Sequence, residues 1–236
     1  MPVDILALAA HRDDVEQTCA GTLLKMAEHG HRTGILDLTQ GETGTRGTML
    51  DRASEAAEAA RILKVSWREA LDIPDGRVEN TWENRLKVVR VLREQRPRVL
   101  ILPYWEGRHP DHYTAAILGY EAAFLSGLAK LPAEGSAHRP FKIIYASLYR
   151  DVRPTFVVDI TDQFETRFDS LMAYKSQFTD QEAGSGIFPA QKEIRARVEA
   201  MARYYGLLGG VTYAEPFVQK EVGLVDDVTA IPVKSI

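Results

Sequence analysis

The sequence predicts an α/β fold: a Rossmann-like parallel sheet with helices on both faces, carrying a smaller C-terminal α+β portion packed on it. Three observations predict it. Short apolar runs alternate four times with longer helix-like stretches between residues 4 and 128. The connections between them are short, which favours right-handed βαβ units. The first run is almost wholly apolar, as strands covered on both faces are.

Each element follows from its residues. Residues 4–10 (DILALAA) read as the first strand, and residues 19–30 as a helix closed by Gly30. Residues 31–39 are a second strand, and residues 40–48 (QGETGTRGT) a loop with three glycines. A helix rich in Ala and Glu spans 51–63, and a third strand spans 67–73, followed by a turn at Pro74-Asp75-Gly76. Residues 83–95 form a helix with alternating charges, 98–103 a fourth strand and 113–128 a further helix. A Pro/Gly/Ser-containing linker at 131–140 precedes two strands, 142–148 and 155–160, and two helices, 162–175 and 190–205. No composition shift divides the chain. One domain is expected over 1–236, with a Rossmann-like part at 1–130 and a C-terminal α+β part at 141–236.

Composition removes several function classes. With 236 residues, 45% hydrophobic and 26% charged, the chain has the makeup of a globular protein. A net charge of −4 gives no global field for nucleic acid or anionic membrane, and no basic amphipathic helix is present. No apolar run reaches the ~20 residues of a membrane span, and no secretory signal is seen at the N-terminus. Neither nucleic acid nor membrane is therefore an expected partner. Cys19 is the single cysteine, so the chain holds no internal disulfide and no cysteine-based zinc site. A cytoplasmic location fits that usage. Cys19 itself reads as a small buried residue at a helix start.

The chemistry gathers in the polar loops after strands one, two and four. In open α/β sheets, ligands bind beyond the carboxyl ends of the strands. The first strand ends in Ala10-His11-Arg12-Asp13-Asp14, where a dinucleotide site would carry G-x-G-x-x-G. Two aspartates there repel a pyrophosphate. A metal fits better: zinc takes neutral imidazole and carboxylate, and a catalytic site keeps one position open for water. His11 and Asp14 offer two ligands from one loop. His109, Asp111 and His112 (HPDH) offer more from the loop after strand four. Asp13 is then placed to act as general base. The plainer alternatives are that the aspartates cap the next helix and that HPDH is an Asx-turn with solvated imidazoles. Two such motifs at the ends of two strands of one sheet favour the metal.

AHRDD, GETGTRGT and HPDH together resemble the LmbE-like family of zinc-dependent N-deacetylases, which act on N-acetylglucosamine-containing small molecules through a Rossmann-like fold. The family's first motif is usually AHPDD, and Arg12 stands at its proline. Four further stretches are similar to the bacillithiol-biosynthesis branch: DLTQGETGTRGT at 37–48, IPDGRVEN at 73–80, AYKSQF at 173–178 and YAEPF at 213–217. The resemblance implies His11, Asp14 and His112 as metal ligands and Asp13 as general base. It implies a protonated His109 as the group that stabilises the oxyanion or protonates the amine, and Asp111 as the residue that orients a histidine. It implies a metal-dependent N-deacetylase, a hydrolase of linear amides, using Zn2+; Fe2+ suits the same donors. The implied substrate is a small acetylated glucosamine conjugate, N-acetylglucosaminyl malate, cleaved to glucosaminyl malate and acetate. Relatives of this family imply a homo-oligomer, a trimer or hexamer.

Malate carries two carboxylates, and Arg46, Arg52 and Arg108 are the candidate substrate-binding cations. For any one of them a surface ion pair is the plainer role. Arg12 either assists the anion or pairs with Glu16. Tyr104, Trp105 and Trp82 offer faces to a sugar ring or simply pack. Two rival functions stand beside this one: deacetylation of another N-acetylglucosamine glycoside or thiol conjugate, and non-catalytic binding of a sugar or nucleotide on a Rossmann-like fold.

Overall fold

The computed structural model describes residues 1–148, 150–180, 184 and 189–233. Its strands are β1 (Ile5–Ala9), β2 (Thr33–Asp37), β3 (Trp67–Ala70), β4 (Val99–Pro103), β5 (Lys142–Ala146), β6 (Phe156–Asp159) and β7 (Ala214–Val218). They form one sheet in the order β3-β2-β1-β4-β5-β7-β6. The pairs from β3 through β5 are parallel, whereas β7 runs antiparallel to both β5 and β6. The strands of the C-terminal third therefore extend the same sheet.

Alternation along each strand divides the core between two faces. Leu6 and Leu8 of β1 join Leu36, Leu100 and Leu102 on one face. Helices α4 (Trp82–Gln95) and α5 (Pro110–Ser126) cover it through Val88, Leu92, Leu118 and Ala122. Ile5, Ala7 and Ala9 join Ile35 and Ile101 on the other, against Val15 and Leu23 of α1 (Asp14–Thr18) and α2 (Ala20–Glu28). Helix α3 (Met49–Ile62) starts at a capping box in which Thr48 and Asp51 satisfy each other's backbone N–H. It packs on α6 (Phe164–Met172) and α7 (Lys175–Phe178) through Ala56, Ala59, Leu171 and Tyr174. Helix α8 (Gln191–Gly209) lies over β6 and β7 and ends at Gly210, in the left-handed region that glycine favours.

Two elements differ from the sequence reading. The helix expected over 19–30 is preceded by the short α1, and the two are separated at Cys19, whose φ of −142° and ψ of 16° lie outside the helical region. The stretch YAEPF, left without an element in the sequence reading, contributes Ala214–Phe217 to β7 although Pro216 lacks a ladder donor. Its pairing with β5 covers only Phe217 and Val218, so Pro216 has a strand partner on one side alone, Val157 of β6.

The topology fixes where a ligand can sit. The chain winds outward from β1 to β3, then returns to place β4 on the other side of β1. The carboxyl ends of β1 and β4 thus flank the point where strand order reverses, the usual binding crevice of such sheets. Among the described residues, no helix is long and apolar enough to cross a membrane.

Candidate metal centre

The loop from β1 into α1 turns sharply. Asp13 takes φ 98°, a left-handed conformation that costs a non-glycine residue about 1–3 kcal/mol. It occupies the N-cap position of α1 but makes no side-chain cap bond. Helix capping therefore does not explain it. The turn lets the backbone N–H of His11 donate to Asp14 Oδ2 at 2.9 Å. From β4, the chain enters α5 with His109 as N-cap and Pro110 in the first turn, which suits proline. The imidazole Nδ1 of His109 accepts from the backbone N–H of Asp111. Asp111 and His112, in the first turn of α5, are both buried.

The two loops meet. His11 Nδ1 is 3.2 Å from His112 Nε2 and 3.5 Å from Asp14 Oδ2, and His112 Nε2 is 3.2 Å from Asp14 Oδ1. His11 Nε2 is 3.0 Å from Asp111 Oδ2 and 3.2 Å from Asp75 Oδ1. The rings of His109 and His112 stack at 4.8 Å between centroids, and His11 stands edge-on to His109 at 4.7 Å.

The charges in this cluster do not balance. Asp13, Asp14, Asp75 and Asp111 converge on three imidazoles and the guanidinium of Arg52, whose Nη2 lies 3.5 Å from Asp13 Oδ1. Burial opposes a charge on His11, but hydrogen bonds to Asp111, Asp14 and Asp75 outweigh it and raise its pKa to about 12. Burial lifts the Asp13 carboxyl to about 7, against the pull of Arg52. Asp14 is held well below the usual carboxylate range: its desolvation is outweighed by His112 and His11. His109 is pushed down, by burial first and then by its histidine neighbours. With Nδ1 accepting from Asp111, its proton lies on Nε2. In this arrangement Nε2 is the ring nitrogen of His109 left to donate.

The donor set fits a divalent metal. His11 Nδ1 and His112 Nε2 are 3.2 Å apart, with Asp14 Oδ2 3.5 Å from the first and Asp14 Oδ1 3.2 Å from the second, and nitrogen and carboxylate oxygen are the donors that zinc takes when no cysteine is present. Donor atoms of His11, His109 and His112 also lie within 4.8 Å of one another, as do those of His11, Asp75 and Asp111. A cavity of about 20 Å³ opens beside Asp14 and His112, walled mainly by apolar residues such as Ala9, Val15 and Ala146.

Asp75 was legible in sequence only as part of a turn. It lies after β3, two strands from β1 in the sheet, and Thr43 holds it through its backbone N–H and hydroxyl at 3.0 and 2.9 Å. The same turn donates Gly76 N–H and Val78 N–H to the two oxygens of Asp111. The signal available beforehand was the motif IPDGRVEN itself.

The three candidate arginines separate. Arg46 is buried and donates to the carbonyl of Gln177, whose amide donates back to the Arg46 carbonyl. The glycine-rich loop can press this close because Gly47, at φ +73°, lacks a Cβ that would fall 2.5 Å from Ser176 Oγ. Arg52 is buried too, bonded to the Arg12 carbonyl and facing Asp13. Arg108 is exposed, on the rim of an open groove of about 480 Å³ shared with Trp105, Tyr113 and Arg150. Arg12 donates to the carbonyls of Gln40 and Met49, and Glu16 pairs with Arg68 instead. Tyr104 and Trp105 pack on each other at 4.1 Å.

A family model described as PIG-L, GlcNAc-PI de-N-acetylase, matches residues 6–123, the part that contains every loop of this centre except the contact from Gln177. Diacetylchitobiose deacetylase from Thermococcus kodakarensis is 30% identical over 224 residues, covering 89% of this chain and 80% of the relative. Among solved structures, the conserved protein TT1542 from Thermus thermophilus superposes with a TM-score of 0.86 at 40% identity, covering 95% of this chain and 98% of that one. N,N'-diacetylchitobiose deacetylase from Pyrococcus horikoshii superposes with a TM-score of 0.79 at 24% identity, covering 90% and 82%, and shares the fold.

Proposed function

The chain belongs to the PIG-L family of GlcNAc-PI de-N-acetylases, and we propose that its reaction is metal-dependent removal of the acetyl group from N-acetylglucosaminyl malate. The observation that carries the reading is the meeting of His11, Asp14 and His112 side chains within 3.5 Å of one another, with Asp13 next to them in a strained turn.

His11, Asp14 and His112 are the proposed metal ligands. A divalent ion held there, Zn2+ or equally Fe2+, supplies a Lewis acid for the amide carbonyl and a lowered pKa for water. Asp13 takes the proton from the attacking water and passes it to the departing nitrogen, leaving acetate and the free amine. Its raised pKa suits a group that must both accept and return a proton near neutral pH. Arg52 keeps the Asp13 carboxylate aimed, since it also grips the Arg12 carbonyl at the turn. The neutral His109 offers its Nε2–H to the developing oxyanion, a contribution of about 3–4 kcal/mol where one such donor acts. Asp111 orients His11 through its 3.0 Å contact. The small cavity beside Asp14 and His112 receives the acetyl methyl. No serine or cysteine nucleophile takes part.

The substrate assignment rests on the similarity of four motifs to the bacillithiol branch. Of the three arginines, Arg108 is the one at an open rim, so it is assigned to the malate carboxylates. Arg46 and Arg52 act behind the site. A second reading keeps the chemistry and changes the substrate: the 30% identical relative is a diacetylchitobiose deacetylase, which favours a neutral disaccharide. A cytoplasmic location and a homo-oligomeric state belong to the first reading.

One experiment separates these. Metal content is measured by elemental analysis, and free amine is measured after incubation with N-acetylglucosaminyl malate, N-acetylglucosamine or diacetylchitobiose. One metal per chain with preference for the malate conjugate supports the proposal. Preference for diacetylchitobiose moves the substrate to the second reading. A metal-free protein prepared without chelators contradicts the centre itself.

A further inference from the structure

The chain from β4 into α5 borders two hollows at once. Glu106 lines the small cavity beside Asp14 and His112. It also lines the open groove of about 480 Å³ together with Trp105, Gly107, Arg108, Tyr113 and Arg150. The two spaces therefore adjoin at Glu106. A ligand with one end in the cavity passes Glu106 on its way into the groove, whose volume is that of an ordinary small-molecule site. The groove holds two arginines and one acid. Arg150 follows β5, the strand beside β4, so a different loop supplies it than supplies Arg108. Arg150 Nη2 donates to Glu106 Oε2 at 2.9 Å, and the two side chains are 55% and 51% exposed. An ion pair so open to water contributes little to stability, so it exchanges readily for another.

We infer that Arg150 is a second anion-binding side chain of this groove, and that Glu106 holds its guanidinium until an anionic substrate takes its place. Together they set a preference for a sugar conjugate that bears carboxylates over a neutral one. The inference rests on the deacetylase reading for the position of the sugar and concerns the part of the substrate beyond it. A dicarboxylate is best held by two cations, and Arg108 supplies one. A guanidinium presents its donors in a rigid fork that matches a carboxylate. The contact to Glu106 shows the Arg150 fork already taking a carboxylate at this spot. Glu106 thus stands in for the carboxylate of the ligand. When the substrate's anion arrives, Arg150 stays paired and Glu106, half-exposed, turns to water. A neutral sugar cannot make that exchange, because it meets an Arg150 already paired and offers only hydroxyl contacts. The groove discriminates by charge away from the metal centre, with an acid that neutral or wrongly placed groups do not displace.

Two measurements on the metal-loaded protein test it. Kinetics with N-acetylglucosaminyl malate and with diacetylchitobiose give KM and kcat for wild type, Arg150→Gln, Arg150→Lys and Glu106→Gln. Isothermal titration with glucosaminyl malate, the product, reads the groove without turnover. Both side chains are half-exposed, so the variants fold, which circular dichroism checks. Arg150→Gln should raise KM for the malate conjugate and weaken product binding, each ~10-fold, as loss of a charged hydrogen-bond partner does. Its kcat and its KM for diacetylchitobiose should stay as in wild type, and Arg150→Lys should restore part of the loss. Glu106→Gln should lower KM for the malate conjugate about two- to fivefold, the scale of an exposed ion pair. Product binding that is absent in wild type, or that Arg150→Gln leaves unchanged, overturns the inference. So does an equal rise in KM for both substrates. Arg150-dependent binding in a protein that releases no amine would keep the groove and remove the deacetylase reading instead.

Discussion

Asp14 and Glu215 are both buried carboxylates, but their surroundings are built by opposite rules. Glu215, on β7, accepts from the backbone N–H of Gly21 and Thr22 and from the Thr22 hydroxyl, and Arg167 Nε lies 3.1 Å away. One negative charge meets one positive charge, and the donors come from the first turn of α2. The cluster is balanced, and it clamps the C-terminal strand onto the N-terminal half. Around Asp14, four carboxylates face three imidazoles and Arg52, on a backbone with a left-handed aspartate. That surplus of carboxylates favours a further cation among them. Matched charges mark a structural joint, and a surplus of one sign on strained backbone marks a place for a ligand.

If the contrast is right, chelation separates the two clusters most sharply. Removing divalent metal should abolish amine release entirely while the protein stays folded, and adding Zn2+ should restore the rate and raise Tm. A chelated protein with full activity breaks the contrast. Asp13→Asn comes next: a loss of ~10²–10⁴-fold in kcat with metal content unchanged, measured by amine release and elemental analysis. Glu215→Gln should do the reverse. It leaves Arg167 buried without its charge partner, at a cost of about 3 kcal/mol, which lowers Tm by roughly 10 °C in a chain of this size. The folded fraction should keep its kcat and its metal. The smallest effect concerns Cys19, close to the site but outside its chemistry. Burial pushes its thiol pKa up, so at pH 8–9, where a free thiol ionises, it stays protonated. A disulfide reagent should titrate it only after unfolding.

Much of this was readable in the sequence. Strand β1 was visible because its run of apolar residues fills two faces, and AHRDD stood out because charge at such a strand end needs a reason. That AHRDD and HPDH meet was legible from topology, since β1 and β4 are neighbours in a sheet wound this way; the choice of His11, Asp14 and His112 among their residues came from the family resemblance. What escaped were contacts that depend on how loops fold over one another. Asp75 looked like turn chemistry because its partner, His11, is 64 positions away. Arg46 looked like a surface cation because nothing local announced its burial against Gln177. Which His109 nitrogen is left to donate follows from a single backbone N–H at its Nδ1, a detail of helix entry rather than of residue type. Strand β7 went unread, and its tolerance of Pro216 depends on a one-sided pairing.

The central claim is that Asp13 moves the proton in a metal-assisted hydrolysis of an N-acetylglucosaminyl amide. Its most direct test is the rate of amine release from N-acetylglucosaminyl malate by metal-loaded wild type and by metal-loaded Asp13→Asn. The account predicts steady release by wild type and a rate at least ~100-fold lower in the variant, each with one metal bound. Equal rates in the two proteins would contradict it.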